Sequence, residues 1–348
     1  ITGDSAGALT VPATITTTVN SVTGVAIPGK YGGTNFLNSL FIGTLPIGTL
    51  DDAQSNTAIG YNSLRTITTG DRNVSLGSGS GSNVTTGHNN ILIGMDCAEN
   101  LTTGTHNTFL GQSTGFNNAT GTSNTAIGSS AMSGASGVNV NKNTAVGYCV
   151  LSSNSASNLV AVGYEALRNN TTGVQNTAVG YYALNTNTIG ANNVAVGYEA
   201  LKANTTGVNN VAVGYNALQA NTIGRYNMVV GHYGLHQNTT GEFNVAVGGY
   251  ALRYNTTGVS NTAVGYEALK ANITGKYNTA VGRESLETNT ADANVAVGYY
   301  SLRVNTTGTR NNALGYYSMN ANTIGQHNTA LGSYTLQANT TGQYNTAV

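Results

Sequence analysis

The sequence predicts an all-β parallel solenoid made of 17-residue coils. Three observations lead there. One glycine recurs at that spacing through most of the chain; Asn (48), Thr (51) and Gly (46) dominate the 348 residues while charged residues supply only 7%; and all three prolines precede the regular array. Ordinary soluble domains carry about a quarter charged residues, so an enzyme-like composition is set aside. Hydrophobic residues still make up 39% and are spread along the chain, enough to bury a core rather than leave it disordered.

Residues 1–37 hold Pro12 and Pro28 but no unit of the repeat, and are read as an irregular N-terminal cap or connector. Repetition starts near residue 38, where Leu40-Phe41-Ile42-Gly43 forms a degenerate first unit, as terminal repeats often do. From Gly60 to Gly332 seventeen units share one register. Three spacings depart from it: 19 residues from Gly128 to Gly147, and 16 residues from Gly147 to Gly163 and from Gly282 to Gly298. The last unit stops at Asn345-Thr346-Ala347-Val348, so residues 38–348 are expected to form about 18 coils, the final one truncated mid-repeat. With Ile1 in place of an initiator Met, the chain reads as a processed piece of something longer.

Within a unit, Asn stands four residues before the glycine (Asn176, Asn193, Asn210), with Leu159 as the exception. Ala dominates two before it, and Val, Ile or Leu occupies the position just before. After it come Leu at the fourth residue (Leu167, Leu184, Leu201) and a second Asn at the seventh (Asn170, Asn187, Asn204), then Thr-Thr-Gly or Thr-Ile-Gly. Two short extended runs are therefore expected, Asn-Thr-Ala-Val and Leu-x-x-Asn-Thr-Thr, each ended by a glycine free to take the positive φ of a tight turn. Glu165-Ala166-Leu167-Arg168 is too short for a helix.

If each unit is one coil, identical residues stack about 4.8 Å apart. Asn can then form side-chain amide ladders while like charges repel, and proline would delete a ladder donor in every coil. About 18 coils at that rise make a rod of roughly 85 Å. Helical repeats are longer than 17 residues, leucine-rich repeats need 20 or more, and a hexapeptide β-helix needs a multiple of six, so none of these fits.

In Thr177-Ala178-Val179 and its equivalents the two sides of the strand are both apolar, Ala on one and Val on the other. A second strand can cover only one side, which leaves the other for a second chain. A closed homo-oligomer follows, and a threefold axis suits a narrow solenoid.

The unit Asn-(Thr/Val)-Ala-Val-Gly-Tyr-x-Ala-Leu resembles the head repeat of trimeric autotransporter adhesins of the YadA type, and related arrays in bacteriophage and giant-virus fibres. The likeness extends over residues 38–348, although the unit here is longer than the family's usual head repeat. It implies a homotrimer of left-handed parallel β-rolls with the Ala-Val strand toward the axis, and an extracellular place on a cell surface or virion.

Function is sought among uncharged side chains. Lys plus Arg (13) balance Asp plus Glu (13) and form no run, so nucleic acid and anionic membranes are not expected as partners. No stretch of 18 apolar residues is present, so this segment is not expected to insert into a membrane. Cys97 and Cys149 fall three coils apart, too far to form a disulfide within one chain. Gly3-Asp4-Ser5-Ala6-Gly7 is similar to a serine-protease nucleophile loop, but that fold needs its His and Asp upstream of the serine. His232 and His236 lack a third metal ligand beside them. No cofactor, metal site or catalytic group is expected. The Asn-Thr-Thr triplets are glycosylation sequons only in a eukaryotic secretory route, and otherwise turn chemistry.

Tyrosine is the exception. Fifteen of the 20 occupy the two positions after the repeat glycine, so Tyr164, Tyr181, Tyr198, Tyr215, Tyr266, Tyr299 and Tyr316 are expected in one longitudinal stripe. Such a stripe either protects the edge of the roll or presents aromatic faces to a host-surface glycan or protein. Asn176, Asn193, Asn210, Gly180, Gly197 and Gly214 are assigned to the structural ladder. The expected function is a trimeric adhesin or fibre shaft, a structural rod that mediates or displays attachment. The alternatives are an ice-binding solenoid, disfavoured because the Thr pairs are adjacent (Thr205-Thr206) and interrupted by Ile189, Ile223 and Ile324, or a filament without a ligand.

Overall fold

The structure is a computed structural model that describes residues 2–3, 9–10, 39–44, 46–47, 52–134 and 140–348. In the expected cap, β1 (Thr2–Gly3) and β2 (Leu9–Thr10) pair antiparallel; the rest of residues 1–37, including Asp4-Ser5-Ala6-Gly7, lies outside the described residues. Among the described residues nineteen strands follow, from β3 (Leu40–Gly43) to β21 (Thr346–Ala347), each paired in parallel with the next in chain order. One parallel sheet thus winds as a β-solenoid of about 18 turns.

Register follows the repeat: Ala195 of β12 (Val194–Val196) faces Ala212 of β13 (Val211–Val213). It survives the irregular spacings, since Ala126 pairs with Ala145 and Ala145 with Ala161. The inserted or deleted residues are taken up between strands, where no pleat alternation is at stake.

The second extended run is not a strand. After the repeat glycine the chain makes overlapping tight turns: Ala200 N–H donates to Gly197 O (3.4 Å), Lys202 N–H to Glu199 O (3.2 Å) and Asn204 N–H to Leu201 O (3.1 Å). Glu199 and Leu201 take φ of 51° and 52°, so left-handed residues alternate with right-handed ones and the run cannot be pleated. Coil-to-coil bonding persists through this segment, with Leu201 N–H on Ala217 O at 3.0 Å and Thr205 N–H on Thr222 O at 2.9 Å. Each coil therefore has one strand, and turns close its remaining sides.

The two glycines of the unit differ in their reasons. The repeat glycine has the expected positive φ, 137° at Gly197, and a Cβ there would stand 2.7 Å from the Gly214 carbonyl carbon. The closing glycine does not have a positive φ. At Gly207 a Cβ would instead collide with Asn204 Oδ1 and Gly224 O, so close approach rather than turn conformation excludes a side chain.

The interior is narrow. It holds the strand-centre Ala (Ala178, Ala195, Ala212), the Ala and Leu of the turn segment (Ala200, Leu201) and both Asn columns, all buried. The other two strand residues point outward, and Val179, Val230, Leu314 and Leu331 are 36–46% exposed in the single chain. The strand is therefore buried on one face only, by turns rather than by a second strand.

Volume in this core is conserved coil by coil. Where the strand centre is Val229 instead of Ala, the facing Ala is replaced by Gly234, whose Cβ would come within 2.7 Å of Val229 Cγ1. Gly115 likewise makes room for the Phe109 ring and Gly81 for Leu92, each at 2.7 Å. Such pairing is expected of an interior packed at crystal-like density. Val229→Ala is expected to destabilise by about 1–3 kcal/mol through a cavity, and Gly234→Ala by about 1–3 kcal/mol through overpacking. The double variant restores the commoner pair and should cost far less than the sum, a coupling of about 0.5–3 kcal/mol measured from denaturant midpoints. Strict additivity would show that the two sites do not share one space.

Candidate functional site

The glycine corner places the next residue at an outer edge of the coil, and repetition stacks those residues. Tyr148, Tyr164, Tyr181, Tyr198 and Tyr215 form a continuous column with ring centroids 5.0–5.3 Å apart and interplanar angles of 2–19°. The rings are 40–48% exposed, so the column presents its ring edges to solvent while their faces stack on each other.

The seven predicted tyrosines do not form one stripe. Tyr164, Tyr181, Tyr198 and Tyr215 lie together; His232 then tilts away from Tyr215 at 41°, and Gly249 puts no ring in the column. Tyr266 meets Tyr250 edge-on at 5.8 Å and carries Arg283 over its face at 5.6 Å. Beyond Arg283 the column resumes with Tyr299 stacked on Tyr316 at 5.4 Å. Two stacks with a break between them replace the expected continuous stripe, because the position itself changes residue at His232, Gly249 and Arg283.

The residues two after each glycine form a second row, distinct from the column. It holds Glu165, Glu199, Glu267 and Glu284 among Tyr182, Tyr233, Tyr250, Tyr300 and Tyr317. Its acids pair with cations three residues on, Glu165 with Arg168 at 2.9 Å, Glu199 with Lys202 at 2.7 Å and Glu267 with Lys270 at 3.0 Å. Arg303 reaches back to Glu284 at 3.1 Å and to Glu287 at 2.9 Å. The recurring Glu-x-x-Lys/Arg spacing was the available signal. Loss of water around the hydroxyl, followed by the charge of the neighbouring glutamate, pushes the pKa of Tyr164 and of Tyr198 above the usual phenol range. The hydrogen bond with Tyr181 raises Tyr182 to about 12. These phenols therefore stay neutral at physiological pH.

The ladder residues lie inside. Asn210 N–H and Nδ2 both donate to Asn193 Oδ1 (3.0 and 3.2 Å), and Nδ2 also donates to Gly224 O at 2.9 Å. Asn193 N–H in turn donates to Asn176 Oδ1 at 2.9 Å. Leu159 supplies no amide, so this column restarts at Asn176, whose Nδ2 keeps its bond to Gly190 O at 2.8 Å. A second column runs through Asn170, Asn187 and Asn204, with Nδ2 to preceding Oδ1 distances of 2.7 and 2.8 Å. In early coils Ile67, Val84 and Leu101 replace it and are equally buried. Asn170 and Asn204 begin the sequon triplets, and their amide groups are buried and engaged in the folded chain. The Thr hydroxyls beside them, such as Thr188 and Thr205, donate to the carbonyl 17 residues on at 3.0 and 3.1 Å.

Among the described residues no three His, Cys, Asp or Glu side chains are grouped so as to hold a metal ion. His232 packs edge-on against Tyr233 at 4.5 Å and His236 against Tyr233 at 4.9 Å. Cys97 and Cys149 are free thiols, and burial pushes the Cys97 pKa up to about 12. No protein-family model matches the chain, and no curated protein matches it.

Asn210→Ala is expected to leave the Asn227 N–H without its acceptor, now Asn210 Oδ1 at 3.0 Å, and to leave Gly224 O with the Asn221 Nδ2 donor alone, at 3.0 Å. A loss of about 1–3 kcal/mol should follow, read as a lower urea midpoint. An unchanged midpoint would mean that water replaces the ladder at no cost.

Proposed function

We propose that the chain is the shaft of an extracellular trimeric fibre or adhesin on a cell surface or virion, a non-enzymatic rod that carries or mediates attachment. The observation that supports it is the outward face of the sheet. From Ile42 to Leu331 every coil places Ile, Leu or Val at the last outward position of its strand. That makes a branched-aliphatic strip roughly 85 Å long, at 4.8 Å per coil, of a kind monomers rarely leave open.

Three parallel copies around one axis cover it best. Axial symmetry brings each irregular coil, such as the 19-residue one after Gly128, beside its own copies, whereas an antiparallel pairing would set it against regular coils. The left-handed winding and the threefold axis follow the resemblance to YadA-type head repeats. Light scattering in native buffer should give three times the 35.6 kDa chain mass, and a value of one chain mass would refute the trimer.

In this reading the tyrosine edge is the binding surface. Neutral, stacked rings repeated along the rod offer many weak identical contacts to glycan or protein ligands, so attachment arises from avidity rather than one deep pocket. The hydroxyl of the first Thr in each pair is taken up by a carbonyl of the following coil, and the rank of second residues is interrupted by Ile189, Ile223 and Ile324, which disfavours the ice-binding alternative. Replacing Tyr164, Tyr181, Tyr198 and Tyr215 together by Ser should leave the oligomer folded and weaken adhesion to a neutral glycan array severalfold. Unchanged adhesion by the folded variant would make the column purely structural.

A further inference from the structure

The break in the tyrosine column coincides with a break in the ion pairing. From residue 148 onward, five cations occupy the fifth position after the repeat glycine: Arg168, Lys202, Arg253, Lys270 and Arg303. Four of them meet a glutamate. The carboxylate comes from the second position of the same coil, as for Glu267 and Lys270, or from the second and fifth positions of the preceding coil, as for Glu284 and Glu287 with Arg303. For Arg253 those positions hold Tyr250, Tyr233 and His236. Nearby acids are engaged elsewhere, Glu242 with Arg225 at 3.0 Å and Glu267 with Lys270.

Arg253 is instead enclosed by rings. Its guanidinium carbon lies 5.1 Å from the Tyr233 centroid, 5.0 Å from Tyr250 and 5.0 Å from Tyr254. Its Nε is buried without a hydrogen-bond partner among the described residues. Aromatic faces stabilise the cation but accept none of its in-plane N–H groups. A planar, half-buried guanidinium whose Nε–H is unused and which makes no ion pair among the described residues is matched by a carboxylate, which can take two parallel N–H groups of the fork.

Beside this charge the column has a gap. Gly249 stands where other coils present a ring, and the surrounding walls are aromatic. His232 packs on Tyr250 at 5.0 Å, Tyr250 meets Tyr266 at 5.8 Å, and Tyr266 Cδ2 lies 3.5 Å from where a Gly249 Cβ would be. The fold does not require this glycine, since its φ is not positive and that contact is of ordinary van der Waals length. An absent ring, flat aromatic walls and one unpaired guanidinium suit a ligand with a ring-shaped hydroxylated body and a single carboxylate.

We propose that the Gly249 notch binds a uronic-acid residue of an acidic saccharide, its carboxylate on the guanidinium edge of Arg253 and its ring against Tyr250, Tyr266 and His232. The inference rests on reading the tyrosine edge as a saccharide surface and adds a charged, position-specific site to it.

The test titrates the folded rod with trigalacturonic acid and with its fully methyl-esterified form, followed by calorimetry. The acid is expected to bind at least tenfold more tightly than the ester. Arg253→Gln should reduce acid binding at least tenfold. Gly249→Tyr, which restores the ring found in other coils, should do the same with unchanged circular dichroism. Tyr250→Glu, which recreates the pairing seen at Glu267 and Lys270, should also abolish it by supplying an internal carboxylate. Equal binding of acid and ester, or full binding by Arg253→Gln, would overturn the proposal. The fourfold Tyr→Ser variant at 164, 181, 198 and 215 leaves the notch intact and should keep acid binding. Adhesion of that variant to neutral glycans thus judges the wider reading separately from the notch.

Discussion

Each residue of the rod has its own repeat as its nearest neighbour, and main-chain bonds between coils hold it there. Val194 N–H on Asn210 O and Gly197 N–H on Val179 O, both 2.8 Å, fix one coil on the next in both directions. The coil-to-coil spacing of about 4.8 Å then decides which side chains are admissible. An amide can bond its own copy at that distance, an aromatic ring can stack on it, and a lone charge cannot tolerate it. Scarcity of charge and abundance of Asn are therefore consequences of stacking. Three of the glutamates meet a cation three residues on within the same coil, and Arg225–Glu242 and Arg303–Glu284 pair opposite charges between coils.

The same constraint explains the choice among apolar residues. Closing a coil with one strand requires the chain to reverse through left-handed residues, and none of the non-glycine residues with positive φ among the described residues is Val, Ile or Thr. Thr is the most abundant residue in the chain, so its exclusion is selective. A branched Cβ clashes with the backbone in that conformation. Leu167, Leu184 and Leu201 are thus Leu because they must be large enough for the core and unbranched at Cβ, while the strand keeps Val and Ile.

The architecture was legible in the sequence because it depends on period, and a period is visible without knowing any distance. Asn-Thr-Ala-Val-Gly yielded its strand, its buried Ala and its glycine corner at once. The turn segment was not legible as such. Leu-x-x-Asn-Thr-Thr looks extended by composition, and only the φ values of residues such as Glu199 and Leu201 show the alternation that rules out a pleat. In the candidate site the repeated tyrosines were evident and their contacts were not. Reading the positions as a consensus hid the places where it fails, namely Gly249, Arg283 and the Val229–Gly234 exchange.

Those failures separate what the repeat holds up from what it can recognise. A perfect repeat gives every coil the same surface, so a ligand meets no preferred register and gains only through multiplicity. Compensated departures restore the common structure: Gly234 cancels Val229, and Gly115 cancels Phe109. Around Arg253 the departures do not cancel. Tyr250, Tyr233 and His236 stand where other coils supply a glutamate to the cation, and glycine replaces the ring of the neighbouring coils. An unpaired, partly desolvated guanidinium has an energetic cost that the neighbouring coils avoid by keeping their glutamates. The solenoid tolerates it because each coil contacts only its neighbours, so the strain stays local and does not propagate along the rod. A structural array can in this way keep its regular coils for stability and spend one irregular coil on chemical selectivity.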